Sequence, residues 1–377
     1  MRRARSLSAL ALFFFATITI SAQTQITTAV IEGLVVDSSD AVLPGVAVEV
    51  RNVDTNLVRE TVTDGDGRFV VLQLPPGRYT VTFRLSGFAT LVQENVLVTV
   101  GQSARITPMM KVSAVAETVT VTSEVQTVET SRTAAATTLN QATVENTPIL
   151  GRKFEDLLTL TPGVSIVQGP DGDEITFAGQ RGVFNNISLD GGDYNNGFFG
   201  EQMGGQRAAI DITLEAVKEF QVIATGANAE FGRTGGGVVN VITKSGTNQV
   251  RGSLFHYQRL EALTSETSDG KTLEGFNRAQ FGGTLGGPIV RDKAFFFVAA
   301  EGIHEHFQRP NLSEAIGTPC PVSTPTLAAH EALINSSADC QRLALLGFFR
   351  ARGQEEGAPV DHNIKNGGLL SKLDWTI

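Results

Sequence analysis

Apolar and polar residues alternate along most of this chain, in short runs separated by turn residues. Two sets of apolar residues near the front alternate with polar or small neighbours: Val46, Val48 and Val50, and Tyr79, Val81 and Phe83. Because successive side chains of a strand point to opposite sides, each set would line one side of a sheet. Short strands at this spacing, separated by Gly, Pro and Asp, predict an antiparallel β-sandwich over residues 27–112.

The segment TDGDGRF, residues 63–69, lies between two of these runs. Asp64 and Asp66 in D-x-D-G resemble the start of a calcium loop. An EF-hand needs further oxygen ligands and a Glu at its twelfth position, whereas here the apolar run from Phe69 follows directly. We predict a hairpin turn with Gly65 or Gly67 at positive φ, and no metal site.

Four later segments alternate over lengths typical of membrane-crossing β-strands: residues 251–259, 277–286, 293–304 and 367–377. Two long polar connections, 260–275 and 307–366, are separated by a short one at 287–292. Extracellular loops and periplasmic turns of a β-barrel alternate in this way. The alternative is an ordinary soluble antiparallel sheet.

The first 22 residues have the order of a secretory signal, with three arginines, an apolar run at 10–15, and the small residues Ser21 and Ala22. A membrane anchor is the alternative, but the apolar run is shorter than the roughly 20 residues that span a bilayer. No long apolar run follows. Membrane insertion would therefore require a β-barrel.

Composition excludes some functions. A net charge of −9 with 18% charged residues argues against a nucleic-acid binder. There is no G-x-S-x-G or H-E-x-x-H motif, and His304 and His306 share a strand side without a third ligand. The sequence therefore predicts no catalytic residue, metal or cofactor, and no enzyme.

The only two cysteines, Cys320 and Cys340, lie in one polar segment. In an exported chain we predict a disulfide between them, with two free thiols as the alternative. Their spacing, without neighbouring His or Cys, is a poor zinc pattern.

The segment EFGRTGGGVVNVITKSG, residues 230–246, joins a glycine-rich hinge to an apolar run and a polar exit. It lacks the Gly-Lys-Ser/Thr of a phosphate loop. Together with NTPILGR at 146–152 and NISLDGG at 186–192, it closely resembles the plug domain of TonB-dependent outer-membrane receptors, over residues 130–247. We expect one short helix at 154–160, and the resemblance implies another over 210–220.

The segment from residue 29 to about residue 111 resembles the carboxypeptidase regulatory-like domain, through the turn LPG at 43–45 and the segment LPPGRY at 74–79. Despite its name, that domain carries no hydrolytic residues. The segments FGGTLGGPI at 281–289 and FFF at 295–297 resemble the Oar-like branch of the receptors, which carries such a sandwich in front.

A short alternating β-branched segment lies in the linker, residues 113–129. Segments of this kind add as a strand to another protein's sheet edge, although any linker strand could show the pattern. Its position ahead of the plug resembles the TonB box, which would comprise Glu117, Thr118, Val119, Thr120, Val121 and Thr122.

The resemblance implies a mainly β protein: an N-terminal β-sandwich in the periplasm, an α+β plug, and the first strands of an incomplete transmembrane β-barrel at 248–377. Its partners would be TonB with ExbB and ExbD, outer-membrane lipid, and an extracellular ligand. By analogy, the resemblance to the regulatory-like sandwich and to the Oar-like branch favours carbohydrate, peptide or protein cargo over iron chelates. Candidate ligand-loop residues are Asn195, Asn196, Phe198 and Phe199.

A plugged transporter needs roughly 22 strands, and four are predicted here. We therefore expect a fragment of a longer protein or the product of a truncated gene. The alternative function is a secreted or surface module that binds carbohydrate or mediates adhesion without transport.

Overall fold

The computed structural model describes three folded regions in chain order, a sandwich, a plug and a set of long strands. The described residues are 27–113, 117–121, 134–149, 151–169, 172–195, 212–232, 234–266, 274–309, 340–341, 345, 349, 351–353 and 360–375.

Ten strands form the sandwich. They are β1 (Ala29–Leu34), β2 (Val36–Asp37), β3 (Ala47–Asn52), β4 (Val58–Val62), β5 (Arg68–Leu74), β6 (Gly77–Arg84), β7 (Thr90–Val98), β8 (Ser103–Ile106), β9 (Met109–Met110) and β10 (Thr118–Val121). A three-stranded sheet, β5-β1-β8, and a five-stranded sheet, β10-β7-β6-β3-β4, make the two layers, and β2 pairs with β9.

The predicted inward-facing sets form the sandwich core. Val46, Val48, Val50, Tyr79, Val81 and Phe83 are each at most 1% exposed. The Phe69 ring from the other sheet meets Phe83 edge-on, with centroids 5.6 Å apart. The turn predicted at residues 63–69 is present: Gly67 has φ +73°, and the Asp64 carboxylate accepts the backbone N–H groups of Asp66 and Arg68. It is not a hairpin, because it joins β4 to β5, which lie in different sheets.

The plug follows with two short helices and seven strands. They are β11 (Ala135–Leu139), α1 (Gln141–Asn146), α2 (Phe154–Leu158), β12 (Val164–Gly169), β13 (Gly172–Phe177), β14 (Asn186–Leu189), β15 (Gly192–Asp193), β16 (Val217–Thr225) and β17 (Val238–Thr243). Short 3-10 helices span Gly182–Phe184 and Leu214–Ala216. The main sheet has the order β11-β16-β17-β14-β15, and β12 pairs with β13.

The helix expected over residues 210–220 is wrong. Within the described residues 212–220, only Leu214–Ala216 is helical, as a 3-10 turn, and β16 begins at Val217. Leu214, Val217 and Phe220 are three residues apart, which imitates a helical period. Most of β16 is buried on both sides, so the strand lacks the polar–apolar alternation that would have identified it.

The glycine-rich segment turns the chain into β17, which is buried at all six positions. A Cβ on Gly237 would overlap the ring of Phe177. Glycine is therefore required where β17 starts beneath that ring.

Four long strands complete the described chain: β18 (Arg251–Leu260), β19 (Asn277–Val290), β20 (Ala294–Arg309) and β21 (Val360–Trp375). They pair in chain order. A 3-10 helix, Glu261–Leu263, follows β18. The strands β19 to β21 are longer than predicted, so the turn expected at 287–292 is reduced to residues 291–293.

The chain forms two compact units. The first contains the sandwich, the plug, the start of β18 as far as Ser253, and the segments Thr284–Ala299 and Leu369–Ile377. The second contains the segments Leu254–Gly283 and Ala300–Gly368. Among the described residues, no helix is long and apolar enough to cross a membrane.

Candidate functional site

The predicted coupling segment lies on the sandwich. Thr118–Val121 is β10, which we call the coupling strand, and it pairs in parallel with residues 90–93 of β7. The Thr90 N–H donates to the Glu117 carbonyl at 2.9 Å. Thr122 lies outside the described residues. The strand that sequence reasoning placed in a linker is therefore the edge of the five-stranded sheet.

The coupling strand shows one side chain to the core and the others to the surroundings. Val119 packs against the sandwich core, whereas Glu117, Thr118 and Thr120 are exposed and Val121 is 37% exposed. Because β10 is an edge strand, half of its backbone hydrogen-bonding groups point away from β7. It is therefore both held by the sandwich and open on one side.

The sandwich contacts the plug through side chains of β16. The Lys218 ammonium donates to the Pro76 carbonyl. The Val100 N–H donates to the Glu219 carboxylate at 2.6 Å, and the Gln221 amide donates to the Val100 carbonyl at 3.3 Å. Side chains of the plug therefore hydrogen-bond backbone groups in the β5–β6 and β7–β8 turns.

The two charged groups of this contact lose contact with water, Glu219 almost completely and Lys218 in part. Glu219 is 4% exposed, and burial raises its pKa to about 6, against the opposing effects of the Val100 N–H and the Lys218 charge. Burial also lowers the pKa of Lys218, opposed by the charge of Glu219. An adjacent pair of opposite charge reduces the cost of burying either one.

A second contact joins the sandwich to the region after the plug. The Asn248 N–H donates to the Asp54 carbonyl at 3.0 Å. The carboxylate of Asp292, in the β19–β20 turn, accepts the side-chain amides of Asn56 and Asn248, both at 2.8 Å. Two separate sets of hydrogen bonds therefore hold the sandwich in place.

Asp190, at the end of β14, ties the plug together. Its carboxylate accepts the Thr243 N–H at 2.9 Å and the Thr243 hydroxyl. The Lys372 ammonium of β21 lies 3.3 Å from the same carboxylate and 3.2 Å from the Thr243 hydroxyl. One carboxylate thus joins β14, β17 and β21.

Asn195 is the one candidate ligand-loop residue within the described ranges, and it is 5% exposed. Its side chain accepts the Ile187 N–H at 3.2 Å and donates to Asp193 at 2.7 Å. Asn195 therefore forms hydrogen bonds inside the plug. Asn196, Phe198 and Phe199 lie outside the described residues, and the ligand loop stays a prediction.

The remaining candidate chemistry is sparse. Cys340 is 3% exposed and disulfide-bonded, while Cys320 lies outside the described residues. Within the described ranges, no group of three or more His, Cys, Asp or Glu side chains is placed to hold a metal ion. The His306 ring bonds Asn363 at 2.9 Å.

The long strands carry different residues on their two sides. Apolar side chains open to the surroundings are Leu254, Phe281, Leu285, Ile289, Leu369, Leu373 and Trp375. The opposite side carries polar pairs, among them Arg278 with Glu305 at 3.1 Å and Gln280 with Glu301. Apolar-out and polar-in alternation is the pattern of membrane β-barrel strands.

Sequence reasoning missed Lys218 and Glu219. Charged residues in a strand are normally assigned to an exposed side, and only the folded sandwich covers these two. A weak signal was available, since Lys218, Glu219 and Gln221 interrupt an otherwise apolar run from residue 216 to 224. A charge within a buried run indicates a partner elsewhere in the chain.

Three family models match the chain in the order of its three regions. They are the carboxypeptidase regulatory-like domain at residues 30–111, the TonB-dependent receptor plug domain at 128–239, and an outer membrane β-barrel domain at 242–326.

A curated relative is the TonB-dependent transporter Oar of Myxococcus xanthus. It is 28% identical over 302 residues, which cover 75% of this chain and 27% of that protein. The chain thus spans about a quarter of the relative's length.

Solved structures of outer-membrane proteins are also similar. The siderophore receptor PirA of Acinetobacter baumannii is 21% identical, with 49% of this chain and 26% of that chain covered and a TM-score of 0.36. The transporter YddB of Escherichia coli is 15% identical, with 47% and 27% covered and a TM-score of 0.37. TM-scores this low add nothing to the assignment, which rests on the three domain matches and their order. The chain has the domain architecture of a TonB-dependent outer-membrane receptor, with a carboxypeptidase regulatory-like domain ahead of its plug.

Proposed function

We propose that this chain forms the sandwich, plug and first barrel strands of a transporter that binds an extracellular ligand and moves it inward when TonB pulls on the coupling strand. The observation that carries the proposal is the placement of β10, a short strand with one open edge directly ahead of the plug. An extended segment with an open edge is suited to capture by another protein's strand. TonB, energised by ExbB and ExbD, is the partner that fits.

The domain boundaries belong to the same proposal. The sandwich occupies residues 27–112, the linker with the coupling strand 113–129, the plug 130–247 and the barrel region 248–377. The sandwich would face the periplasm, and the apolar side of the long strands would face outer-membrane lipid. No residue is assigned a catalytic role, because the family is one of transporters.

The ligand would bind plug and barrel loops on the outer side. We favour carbohydrate, peptide or protein over an iron chelate, because the chain shares its sandwich with the Oar-like branch. Sandwich domains of this kind do not themselves identify a ligand.

Uptake of labelled probes tests the proposal. Cells that express the protein from its own gene would receive fluorescent maltooligosaccharides or a fluorescent casein digest, with and without functional TonB. We expect label to reach the periplasm only when both the protein and TonB are present. Equal uptake without TonB would contradict the proposal. Label that stays on the surface in both strains would favour the carbohydrate-binding or adhesion alternative.

A further inference from the structure

The backbone of the coupling strand is divided between two sides. In a parallel ladder, every second residue directs its N–H and C=O toward the neighbouring strand. Since the Glu117 carbonyl accepts the Thr90 N–H, the ladder with β7 uses Glu117, Val119 and Val121. The N–H and C=O groups of Thr118 and Thr120 therefore point to the open side.

Within the described residues, the open side of this short strand carries no Pro, Lys or bulge that would protect a sheet edge. Natural edges are protected by Pro, Lys, bulges or a covering segment. The coupling strand reads TVTV and pairs in unbroken register, and in the described part of the chain no strand lies beyond it. Its exposed side chains next to this edge are two threonines, which favour extended backbone.

The inner side of the strand is already ordered by the sandwich. Val119 packs against the core, and four consecutive residues pair with β7. A free linker would lose conformational entropy on joining a partner's sheet, whereas a strand held in extended form has lost it on folding. If the coupling strand left β7 before a partner bound it, both the pairing and this order would be lost.

The strand that holds β10 also leads to the plug. The segment that follows β7 reaches Val100, which is fully buried and whose N–H and C=O bond Glu219 and Gln221 of β16. A pull on the coupling strand in place would therefore act on β7, then on Val100, and then on the second strand of the plug sheet. This route is additional to the covalent connection through residues 122–134.

We propose that the sandwich presents the coupling strand to TonB. A TonB strand adds to the Thr118 and Thr120 edge while the inner edge stays bonded to β7, so the sandwich sheet gains a sixth strand and transmits the load to β16. This inference rests on the proposed function, since it assumes that TonB is the partner of β10.

A disulfide staple tests the inference. Thr90 and Thr118 are Cα partners in the parallel ladder, and adjacent strands lie close enough for a disulfide. The variant Thr90→Cys/Thr118→Cys, with a photoreactive residue at Val121, would be expressed from its own gene in cells with TonB. Crosslinked TonB would be measured before and after treatment with dithiothreitol. The control is the unstapled probe protein, which carries the photoreactive residue at position 121 without the two new cysteines and is treated identically.

We expect the staple to form and the crosslink to TonB to be unchanged by oxidation. A fall of about tenfold or more on oxidation, restored by dithiothreitol, would show that the strand must leave β7 and would overturn the inference. Failure of the two cysteines to pair would overturn it as well, because the strand would not be docked. If the unstapled probe protein itself gives no TonB crosslink, the proposed function fails.

Two proline variants provide a matched pair. Thr120→Pro removes an N–H from the open edge, whereas Val119→Pro removes one that bonds β7. We expect Thr120→Pro to lower the TonB crosslink about tenfold or more while the Thr90/Thr118 staple still forms. Staple formation with an unchanged crosslink in Thr120→Pro would show that the open edge is not the binding edge.

Discussion

The coupling strand β10 and the plug strand β16 are two strands placed in opposite surroundings. The first has four residues, one neighbouring strand and mostly exposed side chains. The second has nine residues, two neighbouring strands and a largely buried sequence that includes a carboxylate. Backbone pairing alone holds a short edge strand weakly. The comparison indicates that β10 is accessible to a partner strand, whereas β16 is held within the plug by its neighbours and its burial.

The largest expected effect is in the plug core. Phe220 of β16 is fully buried and stacks on Phe154, with ring centroids 5.8 Å apart. Phe220→Ala should destabilise the plug by about 3–5 kcal/mol, through lost burial and a cavity. Hydrogen exchange of the β16 and β17 amides, measured by mass spectrometry, reports this locally. The control is Phe184→Ala, since Phe184 is 50% exposed, and equal exchange in the two variants would contradict the prediction.

The next effect concerns the carboxylate that joins three strands. Asp190→Ala leaves the Thr243 N–H and hydroxyl without their acceptor and Lys372 without its nearby charge. We expect a loss of about 1–3 kcal/mol in the protection of β17. The conservative variant Asp190→Asn retains an acceptor and should lose less. Exchange in Asp190→Ala identical to that of the parent protein would show that the charge and its bonds contribute little.

A pH effect follows from Glu219. Its folded-state pKa of about 6 lies above its ordinary value of 4.5, so the folded protein binds the proton more tightly than the unfolded chain. Stability therefore falls as pH rises through the window from 4.5 to 6. Because of this pKa shift, Glu219 lowers the free energy of unfolding by about 2 kcal/mol at neutral pH relative to acidic pH.

The thermal midpoint of the purified chain, measured from pH 4 to 8, tests this sign. Glu219→Gln keeps a hydrogen-bond acceptor for the Val100 N–H and removes the titrating group. We expect the variant to gain stability relative to the parent above pH 6 and to match it at pH 4. A parent advantage that grows with pH would reverse the assigned direction.

The smallest expected effect is at the coupling strand. Val119 is only partly buried against the sandwich core, so Val119→Ala should cost about 1 kcal/mol or less. The change should increase hydrogen exchange of residues 90–93 without affecting β3 and β6. The matched variant Val121→Ala alters a more exposed side chain and should have a smaller effect. Exchange that rises throughout the sandwich would mean that β10 supports the whole domain.

Patterns within short segments predicted much of the architecture. The alternating apolar sets placed the sandwich core, because each strand shows one side to the core. The glycine-rich hinge within residues 230–246 marked the start of an apolar strand, and the structure gives the reason at Gly237, where a Cβ would overlap the Phe177 ring. The long strands were predicted by alternation, although their ends were not, since pairing with neighbours extends them beyond the segment where the pattern is clear.

The sequence by itself determined the order of the three regions, the barrel-type alternation and the β-branched character of residues 117–122. The tertiary structure decided the rest. It made residues 217–225 a strand because neighbours cover both of its sides, which removes the alternation that local reasoning needs. It buried Glu219 beneath Val100 and docked β10 on β7. Both contacts join residues distant in sequence, and the energy of such contacts depends on which surfaces the completed fold brings together.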